Sequence, residues 1–197
     1  MSIEVRRATA EDAEAVREIV LRALREVNAR DYPASVIDRL AATLPERIAA
    51  TLGQAQVYVA TEAGRVVGTA RLTGRTVSSV FVDPKDMGRG VGAKLLDAIE
   101  NAARKNSATT LDLQSSVTAC GFYRKRGFAV VRENLFGEEK VIVMTKRLVA
   151  RVNTAKSRGA AVRATPLPNA VSSGRRAPLE VQSKYPHRAP PNVDRHD

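Results

Sequence analysis

Glycines spaced two apart, just ahead of a helix, constrain this chain more than any other feature in it. The run is Gly88-Arg89-Gly90-Val91-Gly92-Ala93. Beyond it Val91, Leu95, Leu96, Ile99 and Ala103 keep helical spacing to about Lys105. The first N–H groups of a helix have no acceptor one turn earlier, and the helix dipole is positive there. Glycine lets an anion approach that backbone closely. The junction therefore reads as a phosphate cradle, with Arg89 adding a positive side chain. A flexible surface turn with helix-capping glycines is the plain alternative.

The same letters spell a dinucleotide fingerprint, with Gly88, Gly90 and Ala93 in the small positions and Asp112 near the distance of a ribose-binding acid. That fold is rejected. Its first glycine follows the strand directly, whereas Asp83 to Met87, with Pro84 among them, intervene here. The strands ahead of the run read as an antiparallel meander, and too little chain follows Asp112 for a second nucleotide-binding half.

Periodicity supplies the remaining elements. Ile3 to Arg7 alternates as a strand, and Thr9-Ala10-Glu11-Asp12 resembles a capping box ahead of a helix through Ala13, Val16, Ile19, Val20, Ala23, Leu24 and Val27. A second helical stretch, about Ser35 to Leu52, should be interrupted near Pro45. Strands are expected at Gln56–Glu62 and Arg65–Leu72 around a Gly64 turn, then at Thr76–Val82 and Thr110–Gln114. A short helix at Ala119–Lys125 and a hairpin of Phe128–Arg132 with Lys140–Lys146 complete the order β-α-α-β-β-β-α-β-α-β-β. This is a mixed α/β sheet with helices on its faces.

From Val149 to Asp197 the period disappears and six prolines accumulate. That segment is expected to be a disordered, basic, Pro-rich tail after a domain at residues 1–148. Nine basic and three acidic residues lie beyond Ala150, so +6 of the net +11 sits there. The charge thus argues little for nucleic acid as a partner of the domain. No stretch reaches the length of a membrane span, and Met1-Ser2-Ile3-Glu4 lacks an apolar signal core. With a single cysteine, Cys120, no internal disulfide can form. A cytoplasmic protein without membrane contact is expected, and a homodimer is left open.

The run Val82-Asp83-Pro84-Lys85-Asp86-Met87-Gly88-Arg89-Gly90-Val91-Gly92 resembles the acetyl-CoA motif [RQ]-x-x-G-x-[GA] of the GNAT (Gcn5-related N-acetyltransferase) superfamily. Gly90 and Gly92 match the small positions, while Met87 stands where Arg or Gln is usual. Phe122-Tyr123-Arg124-Lys125-Arg126-Gly127-Phe128 looks like the family's F-Y-x-x-x-G-F, and Ser116-Val117-Thr118-Ala119 its S-x-N-A, with Thr118 replacing Asn. The element order over roughly residues 2–148 also fits.

The resemblance implies acetyl-CoA held between two parallel strands that splay apart, Thr76–Val82 and Thr110–Gln114. Backbone groups of Val80, Phe81 and Val82 would pair with the pantetheine arm, and those of Gly88 to Ala93 with the pyrophosphate. It implies direct attack by an acceptor amine, with Tyr123 protonating the leaving thiolate. Asp31 and Tyr32, between the first helices, fall where the family builds its acceptor wall. Phe136 is a further candidate there, and Asp112 and Glu26 are candidate bases. Both histidines, His187 and His196, lie in the tail. Cys120, without a neighbouring base, reads as a small buried residue. No metal is expected. The expected activity is N-acetyl transfer to a small-molecule or peptide amine. The alternatives are a degenerate module that binds acyl-CoA as a sensor or scaffold, and a nucleic-acid-binding protein acting through its basic tail.

Overall fold

Period-two runs of apolar residues build one sheet of seven strands, and helices with a single apolar stripe cover both of its faces. A computed structural model describes residues 2–53 and 56–149. Its strands are β1 (Glu4–Arg7), β2 (Gln56–Glu62), β3 (Arg65–Thr73), β4 (Thr76–Val82), β5 (Thr110–Ser116), β6 (Ala129–Phe136) and β7 (Glu139–Arg147). The helices are α1 (Ala13–Arg22), α2 (Ala34–Ala49), α3 (Val91–Lys105) and α4 (Cys120–Lys125). The expected element order is therefore the observed one. The strand order is β1-β2-β3-β4-β5-β7-β6, so the last strand inserts beside β5 and leaves β6 at the edge. The segment expected to be disordered lies, beyond Val149, outside the described residues.

On one face α3 buries Val91, Leu95, Leu96, Ile99 and Ala103 against Val67, Ala70, Leu72, Val77, Leu111, Leu113 and Met144 of the sheet. On the other, Val16, Ile19 and Val20 of α1 and Ile48 of α2 pack on Val57, Val59 and Val66. The capping box forms: the Asp12 carboxylate accepts the Thr9 N–H at 2.8 Å and both guanidinium ends of Arg6 at 2.8 Å. The Arg6 hydrogen bonds are the main cause that holds this carboxyl below its ordinary range.

Two expectations fail locally. The helix α2 runs unbroken through Pro45, which is buried. The missing N–H removes one bond of the ladder, but Leu40, Ala41, Leu44 and Ile48 on either side remain in the core under α1 and hold the helix together. The first helix does not continue evenly to Val27. After Arg22 it widens into a π turn, Ala23–Val27, and then tightens into a 3-10 turn, Asn28–Arg30. The wide turn keeps Leu24 in the core and carries Glu26 and Val27 to a cavity shared with Lys85 and Met87.

Gly68 is a requirement that periodicity does not show. A methyl there would stand 2.9 Å from the Phe81 carbonyl, 3.0 Å from Val91 Cγ1 and 3.1 Å from Leu95 Cδ1. The glycine lets α3 settle against β3 and β4. Gly68→Ala should overpack this contact and lower stability by about 1–3 kcal/mol. The expected reading is a lower urea midpoint with an unchanged slope; an unchanged midpoint would show that α3 has slack.

Candidate active site

Pro84 ends the strand direction of β4, and a 3-10 turn, Pro84–Asp86, leads into the glycine run. Gly88 and Gly90 take φ of +78° and +86°, left-handed values that side chains rarely adopt. A methyl on either would meet nothing within 4 Å, so the space beside the loop is open. The helix ladder starts with Lys94 N–H donating to the Gly90 carbonyl at 3.1 Å. The N–H groups of Val91, Gly92 and Ala93 thus lie ahead of the first helical bond, at the positive end of the dipole. Backbone donors at such a helix start are suited to an anion.

The Arg89 side chain is not part of it. Its guanidinium lies 2.7 Å from Glu62 and 2.5 Å from Asp86, so it braces the loop from behind and leaves only its backbone toward the cradle. Arg65 meets the other oxygen of Asp86 at 2.9 Å, and Arg22 meets Asp83 at 2.8 Å. Asp83 and Asp86 are each 2% exposed. The chain of ion pairs ties the loop to β2, β3 and α1. Met87 is 52% exposed at the mouth of a cavity of about 290 Å³ lined by Glu26, Val27, Arg30, Pro84 and Lys85.

Beside the cradle the sheet opens. The parallel strands β4 and β5 pair only at Thr76–Asp112 and Val77–Leu113. Past that point a bulge places Ser79 and Val80 opposite Ala70, with Ser79 at φ +53°. The β5-facing edge of β4 from Ser78 to Val82 is thus unpaired, whereas Phe81 and Val82 keep their partners Thr69 and Gly68 on β3. Val80 and Val82 turn toward α3 and Phe81 toward α1. At the far side of the opening Thr118 Oγ1 is buried with no hydrogen-bond partner. A methyl on Gly92 would stand 3.1 Å from Phe122 Cζ. The second small position of the loop therefore exists to admit the first aromatic of α4, and the two sequence motifs are in contact.

An open backbone anion site, parted strands and an orphaned buried hydroxyl together fit an extended cofactor that ends in phosphates. Residues 20–148 match the acetyltransferase (GNAT) domain family. The chain belongs to the GNAT acetyltransferases. It is 31% identical over 132 residues to the peptidyl-lysine N-acetyltransferase YjaB of Salmonella typhimurium, a span of 66% of this chain and 86% of that protein. A GCN5-related N-acetyltransferase structure from Rhodopseudomonas palustris shares 29% identity and a TM-score of 0.70, covering 75% of this chain and 97% of that one. The PaiA N-acetyltransferase of Thermoplasma acidophilum, solved with coenzyme A, shares the fold with a TM-score of 0.59 at 21% identity, over 75% and 99% of the two chains.

Around this GNAT frame the other expected residues fall unevenly. Tyr123 is 6% exposed, its ring edge-on to Phe122 at 5.2 Å and to Phe128 at 5.7 Å between centroids. Burial pushes its phenol well above the ordinary value, so it stays protonated. Asp112 is not a free base: it meets Arg75 at 2.7 Å and accepts from Thr145 Oγ1 at 2.7 Å. Asp31 and Glu26 are exposed, and Cys120 is half-buried against the core. Phe136 is the last residue of β6, paired with Glu139, and not a loop residue. No helix among the described residues is long and apolar enough to cross a membrane.

Tyr32 is a clamp. Its hydroxyl donates to the Lys140 carbonyl at 2.6 Å and accepts the Val117 N–H at 2.9 Å, which joins the start of α2 to β7 and to the end of β5. Arg39 with Glu139 at 2.7 Å and Ser35 with Glu138 at 2.7 Å close the same seam. Burial raises the Tyr32 phenol above its ordinary value of 10.0. Tyr32→Phe should cost about 1–3 kcal/mol at neutral pH, because it leaves a buried donor and acceptor unpaired. A raised folded value means the tyrosine's contribution is whole below pH 10 and fades as pH climbs through the folded value. The difference in melting temperature between wild type and variant should therefore narrow above pH 10; a constant gap would mean that ionisation of Tyr32 is not linked to folding.

Proposed function

We propose that the chain transfers the acetyl group of acetyl-CoA to a primary amine by direct attack. The observation that carries this reading is the junction of the open backbone cradle with the parted strands β4 and β5. One site holds phosphates, the other an extended arm that behaves as a strand. The N–H groups of Gly88 to Ala93 take the pyrophosphate, Met87 covers it from the mouth, and the free edge at Val80, Phe81 and Val82 binds the pantetheine amides. Thr118 Oγ1 supplies the polar contact for which Asn is usual. Acetyl-CoA brings an activated thioester and a thiolate leaving group.

Tyr123 holds the proton for the departing sulfur. Burial keeps the phenol protonated, the form the role needs, and its raised value means that it yields the proton only to the strongly basic thiolate as that forms. The acceptor amine gives its own proton to water or to the exposed Glu26 beside the cavity. Asp31 flanks the acceptor path, and Tyr32 sets its wall through the clamp. The YjaB relative is named for peptidyl-lysine, which supports an amine on a peptide as well as one on a small molecule.

Release of free thiol in the presence of an amine panel tests the proposal; acetyl-CoA binding without turnover on any amine would turn it toward a sensor. Tyr123→Phe keeps the ring and its packing, so it should lower kcat by about 100-fold or more and leave the acetyl-CoA Kd within about threefold. Equal turnover at all pH values would remove Tyr123 as the acid. Gly90→Glu puts a carboxylate on the cradle and a side chain at a left-handed φ. Calorimetry should show loss of coenzyme A binding, and unchanged binding would sink the cradle assignment.

A further inference from the structure

Five arginines among the described residues are half-buried: Arg17, Arg22, Arg71, Arg104 and Arg126. Four have a carboxylate. Arg17 meets Glu46 at 2.8 Å, Arg22 meets Asp83 at 2.8 Å, Arg104 meets Glu100 at 3.1 Å, and Arg126 pairs with Asp97. Arg71 has none among the described residues; its Nε is buried without a hydrogen-bond acceptor, as are those of Arg22, Arg104 and Arg126, so the missing carboxylate is what sets it apart. A half-buried guanidinium loses hydration and ordinarily recovers it from an anion. Here no such anion stands against it among the described residues.

The position of Arg71 says what should replace it. Its neighbours Ala70 and Leu72 face α3, so Arg71 faces the opposite side of the sheet. It sits opposite Ser78 of β4, the residue that follows the last β4–β5 pair at Val77–Leu113. Gln114, the residue that follows the same pair on β5, faces the same side, because Leu111 and Leu113 face α3. Its Oε1 is also buried with no donor. An unpaired cation and an unpaired carbonyl therefore flank the opening on the face away from α3, one on each side of the parted strands.

We propose that Arg71 and Gln114 are specificity residues for the acceptor, and that the acceptor is an amine with a carboxylate a few atoms away. The carboxylate meets the Arg71 guanidinium, and an acceptor N–H donates to Gln114 Oε1. This rests on the acyl-transfer reading above. A free amino acid supplies this chemistry, and so does a lysine beside an acidic residue in a peptide.

The test uses the full chain loaded with coenzyme A. Calorimetry measures the binding of L-amino acids against their carboxamides, and of peptides with Lys-Asp against Lys-Asn. Initial rates with acetyl-CoA use the same pairs. Wild type should favour the carboxylate member of at least one pair by about 10–100-fold, and the arm that shows it identifies the source. Arg71→Gln should bring that ratio near one, with coenzyme A affinity and melting temperature kept. Arg71→Lys, which retains charge but not the planar fork, should give an intermediate ratio. Gln114→Met should weaken acid and amide alike. Equal binding of acid and amide by wild type in both arms, or a ratio that survives Arg71→Gln, overturns the inference. Selective binding without turnover of any amine would fail the acyl-transfer reading alone; turnover without selectivity would fail this inference alone.

Discussion

Three buried carboxylates, Glu62, Asp83 and Asp86, hold the loop on which the site depends. Alone, each would be expensive to keep charged inside the fold. Each is met by arginine: Arg89 joins Glu62 to Asp86, Arg65 reaches Asp86, and Arg22 reaches Asp83. These contacts come from α1, the β2–β3 hairpin and the loop itself. They fix a stretch with two left-handed glycines and no regular structure of its own. A backbone anion site works only if its N–H groups stay aimed, since free rotation would cost the binding what the ligand supplies. The ionic frame thus does for the loop what a hydrophobic core does for a helix.

Absent side chains shape the rest of the site as much as present ones do. Gly68 lets α3 press on β3 and β4, and Gly92 makes room for Phe122. With α3 seated so closely, its N-terminus comes to the end of β4, where the bulge at Ser79 has already turned the strand away from β5. The parted strands and the cradle are then one surface. The same bulge frees the edge of β4 that would carry the pantetheine arm. Packing, a strained residue and an unpaired edge all serve one opening.

How far this could be read from the sequence follows from the range of each interaction. Strand β4 and the start of α3 were legible because alternation and helical period are local, and Pro84 with the glycines marks the break between them. Phe122 and Gly92 were legible as separate motifs, though their contact was not. Pro45 misled, because its local penalty is outweighed by core packing from residues before and after it. The π turn after Arg22 left no signal at all, since it changes the register of a helix without changing its composition. Arg89 looked like a phosphate ligand because a cation beside a glycine run usually is one. Its partners Glu62 and Asp86 come from a hairpin and a turn whose meeting no local pattern encodes.

Arg71 belongs to the same class of unreadable residue, with the opposite outcome. In the sequence it is one cation in a strand, as Arg65 is, with Arg75 in the turn that follows. In the fold Arg65 and Arg75 find Asp86 and Asp112, while Arg71 is carried to the place where β4 and β5 separate. A carboxylate within the chain could have satisfied it, as happens at every other half-buried arginine among the described residues. The neighbouring strand instead presents Gln114, an acceptor with no charge to give. A pair left incomplete among the described residues, at the point where two strands part, is complementary to an anion with a donor beside it. On the proposed reading, the backbone cradle at the start of α3 meets the cofactor's phosphates. On that reading, what the pair lacks is the contribution of the other substrate.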